Sequence, residues 1–145
     1  MIPLFDERGN LPPGVHGATW NEIMDRYAIN ESRRRLLNGL RAALDSLRGA
    51  GCKRVFLNGS FVTAKEVPAD FDACWDARGV DAERLDPELL DFRHGRAAQK
   101  ARYGGELFPA LMAAAPGGMV FLDYFQRERG TGEPKGIVVL DPESL

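Results

Sequence analysis

The residues best placed to do chemistry lie between Gly59 and Asp72, in the run Gly-Ser-Phe-Val-Thr-Ala-Lys-Glu-Val-Pro-Ala-Asp-Phe-Asp. Asp70 and Asp72 are two residues apart. On a strand, side chains alternate, so these carboxylates share a face about 7 Å apart along the backbone. Phe71, Ala73 and Trp75 then face a core, while the opposite face carries Asp70, Asp72, Cys74 and Asp76. Neighbouring carboxylates repel and raise each other's pKa. A hard divalent cation, Mg2+ or Mn2+, offsets that cost, since it prefers carboxylate oxygens and keeps waters and substrate phosphates in its shell. Upstream, the apolar run Val55-Phe56-Leu57 reads as a buried strand that stops at the turn Asn58-Gly59-Ser60. Glycine lets backbone approach a ligand closely, and main-chain N–H groups in such turns bind anions. The bland alternative is a surface turn followed by a strand with two solvated aspartates.

The rest of the chain must position this stretch. Residues 1–18 hold Pro3, Pro12, Pro13, Gly9, Gly14 and Gly17, and predict an extended arm, laid on the body by Leu4, Phe5 and Leu11. Thr19 and Glu22 have capping-box form, and Trp20, Ile23, Met24 and Tyr27 follow at helical spacing. Asn30 caps a predicted second helix, from about Glu31 to Leu47, whose apolar period runs through Leu36, Leu37, Leu40, Leu44 and Leu47. Gly39 should weaken it by up to about 1 kcal/mol. Arg33-Arg34-Arg35 sits in its first turns and reads as a solvated face, with a patch for an anionic partner as the alternative.

From Arg93 to Arg102 the chain is basic, with Arg93, Arg96, Lys100 and Arg102 and no acid. On a helix, Arg93, Arg96 and Lys100 share a face. They fit either a triphosphate-binding face or a solvated face paired with the acidic stretch before it. Leu107, Phe108, Leu111 and Met112 predict a core helix. The run Met119 to Phe125 predicts a central strand, with Ile137-Val138-Val139-Leu140 as its hairpin partner. Asp123 interrupts the first of these, and a lone buried carboxylate is costly. A strand-end aspartate facing solvent is the plainer reading.

Length and composition bound the answer. A chain of 145 residues, 44% hydrophobic, fits one domain spanning 1–145. A net charge of −2 gives no argument for nucleic-acid binding. Cys52 and Cys74 lack metal-ligand spacing and read as reduced intracellular thiols. With no secretory signal and no membrane-length apolar run, the expectation is a cytoplasmic protein with no membrane partner.

A glycine-serine turn, about ten residues and then Asp-x-Asp on a strand resembles the opening of the active site of polymerase-β-type nucleotidyltransferases. The resemblance is to minimal one-domain members, and in particular to a family of small bacterial proteins among them. Leu11-Pro12-Pro13-Gly14-Val15-His16, Gly59-Ser60-Phe61-Val62-Thr63-Ala64-Lys65 and Phe92-Arg93-His94-Gly95-Arg96 carry it across most of the chain. It implies an α+β fold, one domain with a mixed or antiparallel sheet of about four to five strands and helices mainly on one face. It implies Mg2+- or Mn2+-dependent transfer of a nucleoside monophosphate from a nucleoside triphosphate to a hydroxyl, with two metals about 3.5–4 Å apart. Asp70, Asp72 and Asp123 would be the metal and catalytic carboxylates. Gly59, Ser60, Lys65, Arg93, Arg96 and Lys100 would contact the nucleotide. Minimal members often pair with a small helical protein in toxin–antitoxin modules, so a helical partner protein or an RNA acceptor is implied. The competing class is a degenerate fold of the same type that binds protein or nucleic acid without turnover.

Overall fold

The fold, a computed structural model, describes residues 1–145. Thr19 and Glu22 close a capping box at the start of α1 (Trp20–Tyr27). Asn30 caps α2 (Glu31–Gly49), its side chain accepting the Arg33 amide at 2.8 Å. Five strands follow the apolar runs and their pairing partners: β1 (Val15–Gly17), β2 (Val55–Asn58), β3 (Phe71–Trp75), β4 (Gly105–Pro109) and β5 (Ile137–Leu140). They form one mixed sheet in the order β1-β5-β2-β3-β4. β2 is antiparallel to both β3 and β5, whereas β1 with β5 and β3 with β4 are parallel pairs. The crossover from β3 to β4 contains α3 (Arg93–Tyr103). The architecture is the expected α+β fold.

Alternation along the strands sends side chains to two unequal cores. Phe71, Ala73, Trp75, Leu107, Val138 and Leu140 meet α1 and α2 in the main core. The other face carries Phe56, Cys74 and Ile137, covered by Phe121, Leu122 and Phe125 of the segment around the one-turn helix α4 (Phe121–Tyr124). Phe108 stacks on Phe121 with ring centroids 3.9 Å apart. Cys52 and Cys74 are both buried and free, and burial pushes their thiols up to about 11 and about 12. No helix is long and apolar enough to cross a membrane.

Three expectations fail, each for a non-local reason. Leu107 and Phe108 lie on β4, because that short stretch finds the open edge of β3; Leu111 and Met112 are exposed. The apolar run around Asp123 is α4, not a strand, so it has no hairpin with β5. Its aromatic residues instead cap Phe108. The N-terminal arm is more than an arm: it contributes the edge strand β1.

Gly39 has a role that helix propensity misses. A methyl group there would collide with the backbone carbonyl of Tyr103, where α2 and α3 cross. Gly39→Ala should therefore destabilise the protein, despite the roughly 1 kcal/mol that alanine gains in an isolated helix. A loss of about 1–3 kcal/mol is the usual scale of such overpacking, measurable by denaturant unfolding. A more stable variant would show that the two helices do not cross this closely.

Candidate functional site

The site is assembled at one end of the sheet, on the face away from α2. Asp70 directly precedes β3 and Asp72 is its second residue. The β3–β4 register sets Glu106 opposite Asp72, and because paired residues share a face, their carboxylates are neighbours. On the other side, Asn58 at the end of β2 is the register partner of Asp72. The sequence alone hides Glu106, because the apolar spacing that follows it predicts a helix where β4 forms. The available signal was the alternation Gly105-Glu106-Leu107 just after a glycine helix stop.

The electrostatics are unusual. Burial first, then the charges of Asp70 and Glu106, push the Asp72 carboxyl up to about 7. Burial and then Glu106 also raise Asp70, opposed by Lys100 and Lys65. Neither aspartate has a hydrogen bond or ion pair to compensate it. Glu106 differs, meeting Lys100 at 2.9 Å and Arg96 at 3.1 Å. Asn58 is fully buried, and its Oδ1 has no hydrogen-bond donor. Two uncompensated carboxylates beside an orphaned acceptor fit a hard divalent cation with waters in its shell. The carboxylates do not close into a three-ligand cage.

The glycine-serine turn touches the carboxylates directly. β2 runs into a 3₁₀ turn, Gly59–Val62, with Gly59 at φ +72. A Cβ at Gly59 would strike Oδ2 of Asp72, so only glycine allows the turn to lie against that carboxylate. The loop after the turn is held by Arg33, which is 1% exposed. Its guanidinium donates to the carbonyls of Phe61 (2.7 Å), Thr63 (3.0 Å) and Lys65, and lies over the rings of Tyr27 and Phe61. Arg33 is thus not on a solvated face. Its partners lie about thirty residues away and are main-chain atoms, so no local sequence signal reveals them. Tyr27 donates its hydroxyl to the Val62 carbonyl at 2.9 Å and belongs to the core.

Of the basic segment, Arg96 and Lys100 reach the carboxylates through Glu106 and Arg93 does not. His94, Gly95 and Arg96 have φ of 53, 64 and 62, a left-handed turn that breaks the helical period. Arg93 is thrown outward to pair with Asp91 at 3.0 Å. Asp123 is corrected as well: it sits exposed on α4 and is not on a strand beside β3. Two further cations, Arg129 and Lys135, act on Asp72 from the turn after α4, on residues that the sequence presented only as a loop.

The chain belongs to DUF6932, a family of unknown function, whose model matches residues 3–141. No match was found among curated proteins or solved structures.

Proposed function

We propose that the protein is a nucleotidyltransferase of the polymerase-β type, acting from the carboxylates Asp70, Asp72 and Glu106. The observation that carries this is the pair of uncompensated, partly buried aspartates packed against the Gly59 turn, with a third carboxylate on the adjacent strand. In the superfamily that this stretch resembles, the third metal carboxylate comes from a later strand beside the one carrying Asp-x-Asp. Glu106 fits that description, and Asp123 does not.

Bound Mg2+ or Mn2+ would polarise the phosphates and neutralise charge developing in the transition state. Asp70 and Asp72 would hold it. The turn at Gly59 and Ser60, with Lys65, would orient the β- and γ-phosphates of the nucleoside triphosphate. Arg96 and Lys100 neutralise Glu106 in the free protein; an incoming triphosphate would compete for both and release the carboxylate. The acceptor oxygen then bonds to the α-phosphorus, and the bond from that phosphorus to the β-bridging oxygen breaks. Pyrophosphate departs with the electron pair, and Glu106 takes the hydroxyl proton. Most of this is positioning and charge stabilisation.

One observation favours the alternative of a binding module without turnover: Glu106 is already satisfied by two cations. A helical partner of the toxin–antitoxin kind remains part of this reading, and the exposed Leu111, Met112 and Met119 are apolar contacts available to it. Buried free thiols accord with a reducing cytoplasm.

The test is incubation of the protein with labelled nucleoside triphosphates and Mg2+ in cell extract. A labelled product should form with the parent protein and not with Asp70→Asn, Asp72→Asn. Mg2+-dependent ATP binding without any product would leave the module. Equal ATP binding by the double variant would overturn the site.

A further inference from the structure

A cavity of about 370 Å³ lies between the Pro13–Gly14 turn and the segment joining α4 to β5. Its lining includes Asp123, Gln126, Arg127 and Lys135, with Pro13, Met119 and Pro134 as its apolar side chains. The volume is within the range of small-molecule sites. Lys135 lies two residues before β5, which runs beside β2, and β2 ends at Asn58 opposite Asp72; the lysine charge acts on that carboxylate. The backbone there is fixed: the Lys135 amide donates to Gln126 and the Gly136 amide to Leu11, each at 2.9 Å. Gly136 is also packed so closely on Pro12 and His16 that any side chain would collide.

The charges in this cavity are not balanced internally. Glu128, the acid whose charge acts most on Lys135, is already engaged by Arg8 at 2.9 Å and by Asn10 at 2.7 Å. Arg127 donates only to the Gly132 carbonyl at 3.2 Å. Lys135 is half-buried with no ion pair, and burial lowers its pKa. Two cations therefore face one acid, Asp123. An anion would offset the cost of the half-buried lysine, a neutral sugar would not, and a cationic ligand would be repelled. No aromatic side chain lines the cavity, so nothing there would stack a nucleobase.

We propose that this cavity is the acceptor site, and that it takes a small phosphate ester bearing a free hydroxyl, with Lys135 and Arg127 on the phosphate and the hydroxyl turned toward Asp72. This rests on the nucleotidyl-transfer reading. Different cations act on the two aspartates: Lys100 and Lys65 on Asp70, Arg129 and Lys135 on Asp72. A net charge of −2 favours a small ester over a long nucleic acid.

The experiment is an amide-resonance titration of the full chain with glycerol 3-phosphate, glycerol and a short oligoribonucleotide. Glycerol 3-phosphate should shift Gly14, Gln126 and Lys135 saturably, and glycerol should not. Lys135→Gln should weaken the ester at least tenfold, and Lys135→Arg should hold it within a few-fold of the parent protein. The Asp70→Asn, Asp72→Asn protein should still bind the ester. Failure of the nucleotidyl-transfer reading therefore appears in the Mg2+–ATP titration, and failure of this one in the ester titration. Equal responses to glycerol and its phosphate, or an unchanged affinity in Lys135→Gln, would overturn the proposal. Tighter binding of the oligoribonucleotide at the same amides would replace the small ester with an RNA end.

Discussion

Asp72→Asn should cut nucleotidyl transfer about a thousandfold while making the metal-free protein more stable above pH 7. The two effects share one cause. The Asp72 carboxyl is raised to about 7 in the folded protein, by burial and by Asp70 and Glu106, whereas an unfolded aspartate titrates near 3.9. Between those values the folded state holds a proton that the unfolded chain has released. Stability contributed by this group is fully present below about pH 4 and is lost as pH rises to about 7. Each unit of difference corresponds to about 1.4 kcal/mol, so the loss is on the order of a few kcal/mol. Asparagine cannot ionise, so the variant should lose this part of the decline and follow a shallower profile than the parent protein. Urea unfolding at pH 4, 5.5 and 7.5 measures both curves. Saturating Mg2+ with a nucleoside triphosphate should reverse the parent's slope, because bound metal favours the ionised carboxylate. The loss in transfer should be about a thousandfold, the scale of removing one charge-stabilising group. Parallel pH curves for the two proteins would mean that Asp72 is solvated and that the site has been misjudged.

Arg33→Met should cost about 3–5 kcal/mol, the scale of leaving buried partners unpaired. Methionine fills similar space and spares the cost of desolvating a cation. The carbonyls of Phe61, Thr63 and Lys65 would nevertheless lose a charged donor, a bond worth about 1.5–3 kcal/mol each. Against a typical total of about 5–15 kcal/mol, this is a large share. Arg33→Lys should recover less than half, since an ammonium cannot reproduce the planar fork. The damage should begin locally: the Thr63 and Ala64 amides, bonded to Ser60 and Gly9, should lose hydrogen-exchange protection before the core does. A stability loss under about 1 kcal/mol, the scale of a surface pair, would show that the loop is held by other contacts.

The local signals in the chain were legible where structure is decided locally. The Thr19 capping box, the Asn30 cap, the period of α2 and the alternation across β3 all depend on residues within a few positions of one another. The Asp70–Asp72 pair followed from that alternation. What was hidden depends on distant partners. The apolar runs around Leu107 and Leu122 are short, and neither period nor composition separates strand from helix at that length. β3 decided the first, and the aromatic packing over Phe108 decided the second. Glu106 was hidden with β4. Arg33 looked like its exposed neighbours Arg34 and Arg35, because nothing in a triple-arginine run says which one will meet a ring of carbonyls.

The position of β5 bears on how the chain reaches its fold. β5 lies between β1 and β2, so the sheet's first strand in chain order joins its middle only through the last of the five. During translation α2, β2, β3, α3 and β4 can assemble as residues 31–109 emerge, but one edge of β2 stays unpaired until residues 137–140 are free of the ribosome. That edge is Val55-Phe56-Leu57, an apolar β-prone tripeptide of the kind that recruits other chains when left open. The nascent protein thus keeps one apolar strand edge open until β5 arrives, next to the strand that carries Asp72.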